Sequence, residues 1–229
     1  MTGRQHFERR YQTEEEPWRY GARAAELLRH DWIVRTVGEL APRRQLDIGC
    51  SLGQLTTRLA SVSSELYAAD ISLTAVARAR TLVAKRDVRF AAASAVRLPF
   101  AARAFDLVLA CDGLYSWDLD AGERQASIDE IRRVVQVGGQ VLFTEHARAE
   151  RFEPFIDEIA AGGLHVVSVC YLYDRPWYQF ESWLKLVRGW QPTKHLLQSR
   201  VVARALRALG HFAGSKGSRH VCVLAVRDR

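Results

Sequence analysis

The chain has 229 residues, 48% of them hydrophobic and 26% charged, with a formal net charge of +7. This is ordinary globular composition, at a length that suits one large α/β domain. No stretch approaches the ~20 apolar residues needed to span a bilayer, and the opening MTGRQHFERRYQTEEEPW has no apolar leader segment, so a cytoplasmic protein is expected.

The predicted elements alternate between strand and helix. Residues 45–48 form a short apolar run that ends in a glycine turn, and 54–62 carry Leu55, Leu59 and Val62 at helical spacing. A strand over 65–71 follows, then Ser72 as the N-cap of an Ala/Arg-rich helix running to Lys85. Residues 88–93 form a third strand before the Leu98-Pro99-Phe100 loop, and 105–111 form a fourth, apolar almost throughout and so buried on both faces. A helix over 121–135 presents Ile128, Ile131 and Val135, and Gly138-Gly139 turns the chain into a fifth strand at 140–144. A helix over 152–161 is closed by Gly162-Gly163, with strands six and seven at 164–173 and 220–227. Strands separated by helices require crossovers. The expected fold is therefore a doubly wound, Rossmann-like, seven-stranded and mostly parallel sheet with helices on both faces.

Residues 174–219 exceed what that fold needs and form an inserted helical segment between strands six and seven. It holds Trp177, Tyr178, Phe180, Trp183 and Trp190, then a helix over 198–209 with Arg200, Arg204 and Arg207 on one face, opposite Val202, Leu206 and Leu209. From 175 to 219 there are nine Lys or Arg and one acid, Glu181, so the positive charge belongs to this segment. Its aromatics are either a lid over the substrate or packing for the inserted helices. Its basic face is either ordinary solvated surface or a peripheral contact with an anionic membrane. The four cysteines, Cys50, Cys111, Cys170 and Cys222, are scattered without metal or disulfide spacing, so no metal is expected.

The chemistry centres on Leu46-Asp47-Ile48-Gly49-Cys50-Ser51-Leu52-Gly53, which joins the first strand to its helix. Glycine there permits a sharp turn and close ligand approach. Asp70 ends the second strand, where an acid can accept hydrogen bonds from two ribose hydroxyls, and both acids fall on the sheet edge where such folds bind ligands. The spacing is not G-x-G-x-x-G, and Asp47 would repel a pyrophosphate but suits a cationic amino group. A nicotinamide oxidoreductase is thereby disfavoured.

Together with Leu98-Pro99-Phe100, Phe105-Asp106-Leu107-Val108 and Gly138-Gly139, this loop resembles the class I S-adenosylmethionine-dependent methyltransferases over about 40–145. Phe7-Glu8-Arg9-Arg10-Tyr11, Pro17-Trp18-Arg19-Tyr20 and Leu73-Thr74-Ala75-Val76-Ala77-Arg78-Ala79-Arg80 are similar to the nodulation N-methyltransferase (NodS-like) group. The resemblance implies a helical cap over the cofactor at 1–40 and a methyltransferase core at 41–229. It implies that Asp47 and the Gly49, Cys50, Ser51 and Gly53 backbone hold the methionyl part, that Asp70 holds the ribose, and that Ile71 covers the adenine. Ser94, Ala95 and Cys111 complete the contacts, with Trp18 and Tyr20 closing over them. Ser51 stands where the family has a glycine, and Ser94 where an acid often holds the adenine amino group. The reaction implied is transfer from S-adenosylmethionine, leaving S-adenosylhomocysteine, to an amine of a sugar-like or oligosaccharide acceptor.

Candidates for acceptor binding and proton transfer lie at the strand ends: Asp112 and Tyr115 after strand four, Glu145 and His146 after strand five. His30, His165, His195, His211 and His220 read as structural or solvent-facing. Alternatives are O-methylation of a small or lipid-associated acceptor, RNA methylation, and a non-catalytic cofactor-binding partner protein. A nucleic-acid base is disfavoured because Ala110-Cys111-Asp112-Gly113 lacks the Pro-Pro-aromatic loop of base-amino methylating enzymes.

Overall fold

A computed structural model describes residues 3–18, 20–83, 87–114, 119–186 and 192–228. Helix α1 spans Gly3–Thr13 and α2 Ala24–Leu40, followed by β1 (Arg44–Ile48), α3 (Gln54–Leu59), β2 (Glu65–Asp70), α4 (Leu73–Leu82) and β3 (Val88–Ala92). Then come β4 (Phe105–Cys111), α5 (Ala121–Val134), β5 (Val135–His146), α6 (Phe152–Ala161) and β6 (His165–Tyr171). Helices α7 (Arg175–Leu186), α8 (Pro192–Gln198) and α9 (Arg200–His211) precede β7 (His220–Val226).

The seven strands form one sheet in the order β3-β2-β1-β4-β5-β7-β6, with β1 to β5 paired in parallel and β7 antiparallel to both its neighbours. The doubly wound expectation holds, inserted helices included. Strand direction in β4 sorts the core into two layers. Val108 and Ala110 face Ile128 and Ile131 of α5 and Phe155 and Ile159 of α6, while Leu107 and Leu109 face Ile33 and Val37 of α2 and Leu55 and Leu59 of α3. A strand buried on both faces has no polar side to show, which explains its unbroken apolar run. Ser72 caps α4 as expected, accepting from the Ala75 N–H at 3.1 Å, and Asp120 with Glu123 forms a reciprocal capping box on α5.

Three points differ from the sequence reading. Strand β5 begins at Val135, before the glycine pair: Phe105 pairs with Val135, the register shifts, and Leu107 pairs with Gln140. Gly138 has φ 73° and donates to the Arg227 carbonyl at 2.9 Å, so the pair makes a bulge within the ladder. The helix expected over 198–209 is α9, which starts two residues later because Ser199 caps it by accepting from the Val202 N–H at 3.3 Å. Leu209 lies on the exposed side of α9, while Val202 and Leu206 pack inward against Trp177 and Phe180. Lys85, at the expected end of α4, lies outside the described residues.

Candidate active site

The carboxyl ends of β1, β2, β4 and β5 share one edge of the sheet. Because β7 runs antiparallel, its first residue, His220, reaches the same edge and pairs with His146 at the end of β5. The site is built there in two adjoining parts.

The first part is the loop after β1. Gly49 and Gly53 take φ 76° and 84°, and Ser51, where a glycine is usual, also takes φ 52°. That left-handed serine costs about 1 kcal/mol of backbone energy. Two hydrogen bonds hold it: its N–H donates to Asp70 Oδ2 at 2.9 Å, and its hydroxyl receives the Tyr11 hydroxyl at 2.8 Å. The other Asp70 oxygen takes the Ser72 N–H at 2.9 Å, so the carboxylate is fixed across the ends of β1 and β2. A Cβ on Gly53 would press on Ala79 of α4 and on Val83 just past it, whereas one on Gly49 would meet nothing within 4 Å. Gly53 lets α4 approach, and Gly49 leaves open space in front of the loop.

A cavity lies before this loop, lined among others by Tyr20, Asp47, Gly49, Cys50, Ser51, Gln54 and Cys111. Asp47 is buried, and burial raises its carboxyl to about 7, against the lowering effect of the Thr56 hydroxyl that donates to it at 2.7 Å. Gln54 Oε1 is buried without a hydrogen-bond partner among the described residues. A buried acid and an orphaned acceptor, facing a cavity whose floor is a glycine, fit a cationic amino group with N–H donors. The Cys111 thiol is pushed up to about 12 by burial, and Cys50 is raised as well, so neither supplies a thiolate.

Trp18 and Tyr20 divide. Tyr20 lines the cavity and lies under the Arg29 guanidinium, 5.6 Å from the ring centre. Trp18 packs on Leu52 and Tyr11 instead, donating to the Tyr11 hydroxyl at 2.9 Å. Helix α1 is further pinned by Glu8, which accepts from the Ser72 hydroxyl at 2.7 Å and from Thr74. Ile71 follows Asp70 and is half-buried. Ser94 and Ala95 sit in the turn after β3, where the Ser94 hydroxyl accepts from the Val96 N–H at 3.4 Å.

The second part is a buried charged network beside the cavity. Arg29 of α2 pairs with Glu26 and with Asp112, each at 2.9 Å. Asp112, at φ 55°, also accepts from the Thr144 hydroxyl at 3.1 Å. The His220 Nδ1 bonds Asp174, just past β6, and its Nε2 lies 3.6 Å from Asp112. Tyr178 of α7 donates to Glu26 at 2.7 Å. Burial alone would depress the His220 imidazole, but Asp174 and Asp112 outweigh it and raise it to about 10. Burial would raise Asp112, but Arg29 and His220 hold it well below the usual carboxylate range. Both are therefore charged at neutral pH, and Asp112, expected as a proton acceptor, is committed to its two cations.

His146 differs. It is solvent-exposed beside the network, with its ring 4.8 Å from His220 and 5.0 Å from Tyr178. Partial desolvation and the neighbouring His220 cation both lower its pKa, so it is neutral at pH 7. Glu145, beside it, is buried. Tyr115 and Trp190 lie outside the described residues.

Sequence reasoning missed Glu26, Arg29, Gln54, Asp174 and His220 as site residues. It set His220 aside as structural or solvent-facing; the structure puts it at the centre of the buried network.

Residues 46–143 match the family model described as a methyltransferase domain. A malonyl-[acyl-carrier protein] O-methyltransferase of Pseudescherichia vulneris is 31% identical over 114 residues, 50% of this chain and 43% of that protein. Nodulation protein S of Sinorhizobium fredii is 26% identical over 130 residues, 56% of this chain and 60% of that protein. The match thus spans about half the length of these curated relatives. The crystal structure of the N-methyltransferase NodS from Bradyrhizobium japonicum WM9, in complex with S-adenosyl-L-homocysteine, aligns over 98% of both chains with a TM-score of 0.69 at 19% identity. The expected resemblance to class I S-adenosylmethionine-dependent methyltransferases and their NodS-like branch is borne out as a resemblance: residues 46–143 match the methyltransferase-domain model, and the fold is that of the NodS structure.

Proposed function

We propose that this chain transfers the methyl group of S-adenosylmethionine to an amine of a small, sugar-like acceptor. S-adenosylmethionine, when bound, supplies a methyl group already activated on a sulfonium sulfur. Asp47 and Gln54 hold its amino end, the open face of Gly49 admits it, and Asp70 takes the ribose. Trp18, through Tyr11 and Ser51, holds the loop in shape, and Tyr20 covers the cavity.

The observation that carries the amine reading is the charge balance of the buried network beside the cavity. Glu26, Asp112 and Asp174 are set against Arg29 and His220, leaving one negative charge in excess. Such an edge draws in a protonated amine, as unlike charges attract strongly where water is sparse. Methyl transfer needs the free lone pair, so a proton must leave first. His146, neutral and exposed beside the network, is the group assigned to take it.

The test is incubation with labelled S-adenosylmethionine and a panel of amino sugars, their N-acetylated forms and phosphorylated amines, with products read by mass spectrometry. Label on the free amines and none on the N-acetylated forms is the expected result. Label on a hydroxyl of both forms would make this an O-methylating enzyme. Donor binding without label on any acceptor would point to a cofactor-binding protein that does no chemistry.

A further inference from the structure

Helix α9 turns an apolar stripe outward. Val201, Ala205, Ala208, Leu209 and Phe212 follow one another at helical spacing on its exposed side, with Val201 75%, Leu209 62% and Phe212 88% exposed. The inward side is filled by Val202, Ala203 and Leu206 against Trp177 and Phe180, so the stripe plays no part in the core. Leaving large side chains in water at consecutive turns has a cost that an isolated surface residue does not incur.

Charge identifies the occupant. Arg204 and His211 flank the stripe on one side beside Arg200, whose guanidinium is paired with Asp31 of α2 at 3.0 Å, and Lys216 is exposed just beyond the helix. From Ser199 to Arg219 the chain has five Lys or Arg and no Asp or Glu. A second copy of this chain would bring the same basic row against itself with no acid on the helix to pair with. A nucleic acid would meet the arginines but leave Phe212 and Val201 unburied. An anionic lipid surface satisfies both, with the apolar side chains entering the acyl boundary while the basic row meets the headgroups.

We propose that α9 docks the protein on anionic membranes. The His211 ring packs 4.6 Å from Tyr173, next to Asp174 of the buried network, and the chain runs from α9 through Lys216 to His220. The docking helix is thus joined directly to the segment that carries His220 of the network beside the candidate active site. The proposal rests on the surface of α9 alone and stands whichever acceptor is methylated.

The test is co-sedimentation of the full chain with phosphatidylcholine vesicles containing one quarter phosphatidylglycerol, against pure phosphatidylcholine, at low and high salt. Binding to the anionic vesicles that fades with salt is expected. It should weaken about tenfold or more in Phe212→Ser and about fivefold in Arg204→Ala. Both side chains are exposed, so the variants fold, and unchanged S-adenosylhomocysteine binding checks this independently. Three results overturn the proposal: no binding, equal binding to neutral vesicles, or binding indifferent to both substitutions. Self-association abolished by Phe212→Ser, with vesicles ignored, would show that a second copy covers the stripe and would also overturn it.

Discussion

Donor binding should depend on pH through Asp47. Its carboxyl titrates near 7 in the folded chain because burial disfavours the anion. A cationic amino group placed against it favours the anion, so binding below pH 7 must first expel a proton. The free protein binds more protons than the complex, and affinity therefore rises with pH up to about 7 and then levels. With the bound-state pKa returned to the ordinary aspartate range, the dissociation constant for S-adenosylhomocysteine at pH 5 should exceed that at pH 8 by about 100-fold, or ~2.7 kcal/mol. Calorimetric titration at pH 5, 6, 7 and 8 measures this directly. Repeating the pH 6 titration in buffers of different ionisation enthalpy counts the proton released, with nearly one expected. Asp47→Asn should bind weakly at every pH, with the slope gone. A dissociation constant flat across this range, or an Asp47→Asn variant that binds like the parent, would refute the assignment of Asp47 to the amino group.

The network around His220 makes a second pH dependence, of opposite sign. An imidazole raised to about 10 contributes stability that is whole below its unfolded pKa near 6.5 and fades as pH rises towards 10, so the melting temperature should fall over that window. His220→Gln should flatten that fall and, by leaving Asp174 and Asp112 buried with less compensation, cost about 3–5 kcal/mol at pH 7 by denaturant titration. His146→Ala should leave donor binding unchanged and lower turnover by roughly 100-fold or more on a protonated amine, the usual scale for general base catalysis; full activity would remove His146 from the mechanism. Gly49→Ala and Gly53→Ala both force alanine into left-handed backbone, at about 1 kcal/mol. Only Gly53→Ala also presses on Ala79 and Val83, at 3.1 and 3.2 Å, so it should be the more destabilising of the two in thermal unfolding. Gly49→Ala should act mainly on donor affinity.

The sheet was legible because its strands are buried on both faces and its helices on one, which writes the pattern into β4 and α5 residue by residue. The loop after β1 was legible because Asp47, Gly49, Gly53 and Asp70 are adjacent in sequence to the strands that carry them. The charged network was not, for a geometric reason. Glu26 and Arg29 come from a helix that precedes the sheet, and Asp174 follows an outer strand. His220 begins a strand whose reversed direction carries an amino end to an edge otherwise made of carboxyl ends. Periodicity reports which face a residue shares with its near neighbours in the chain. It is silent on a salt bridge such as Arg29 with Asp112, 83 positions apart. The α9 stripe misled for a related reason. Its apolar residues cover more than half the helix, and sequence alone does not say which part of that arc meets Trp177 and which part meets water.

The most direct test of methyl-donor chemistry is titration of the chain with S-adenosylmethionine and S-adenosylhomocysteine, with NAD as the control. Micromolar binding of the first two, about 8 kcal/mol, with none for NAD and with loss of binding in Asp47→Ala and Asp70→Ala, is the expected result. Failure of both sulfur compounds to bind the folded chain would contradict it, and would make the loop from Asp47 to Gly53 a structural turn on a fold whose chemistry lies elsewhere.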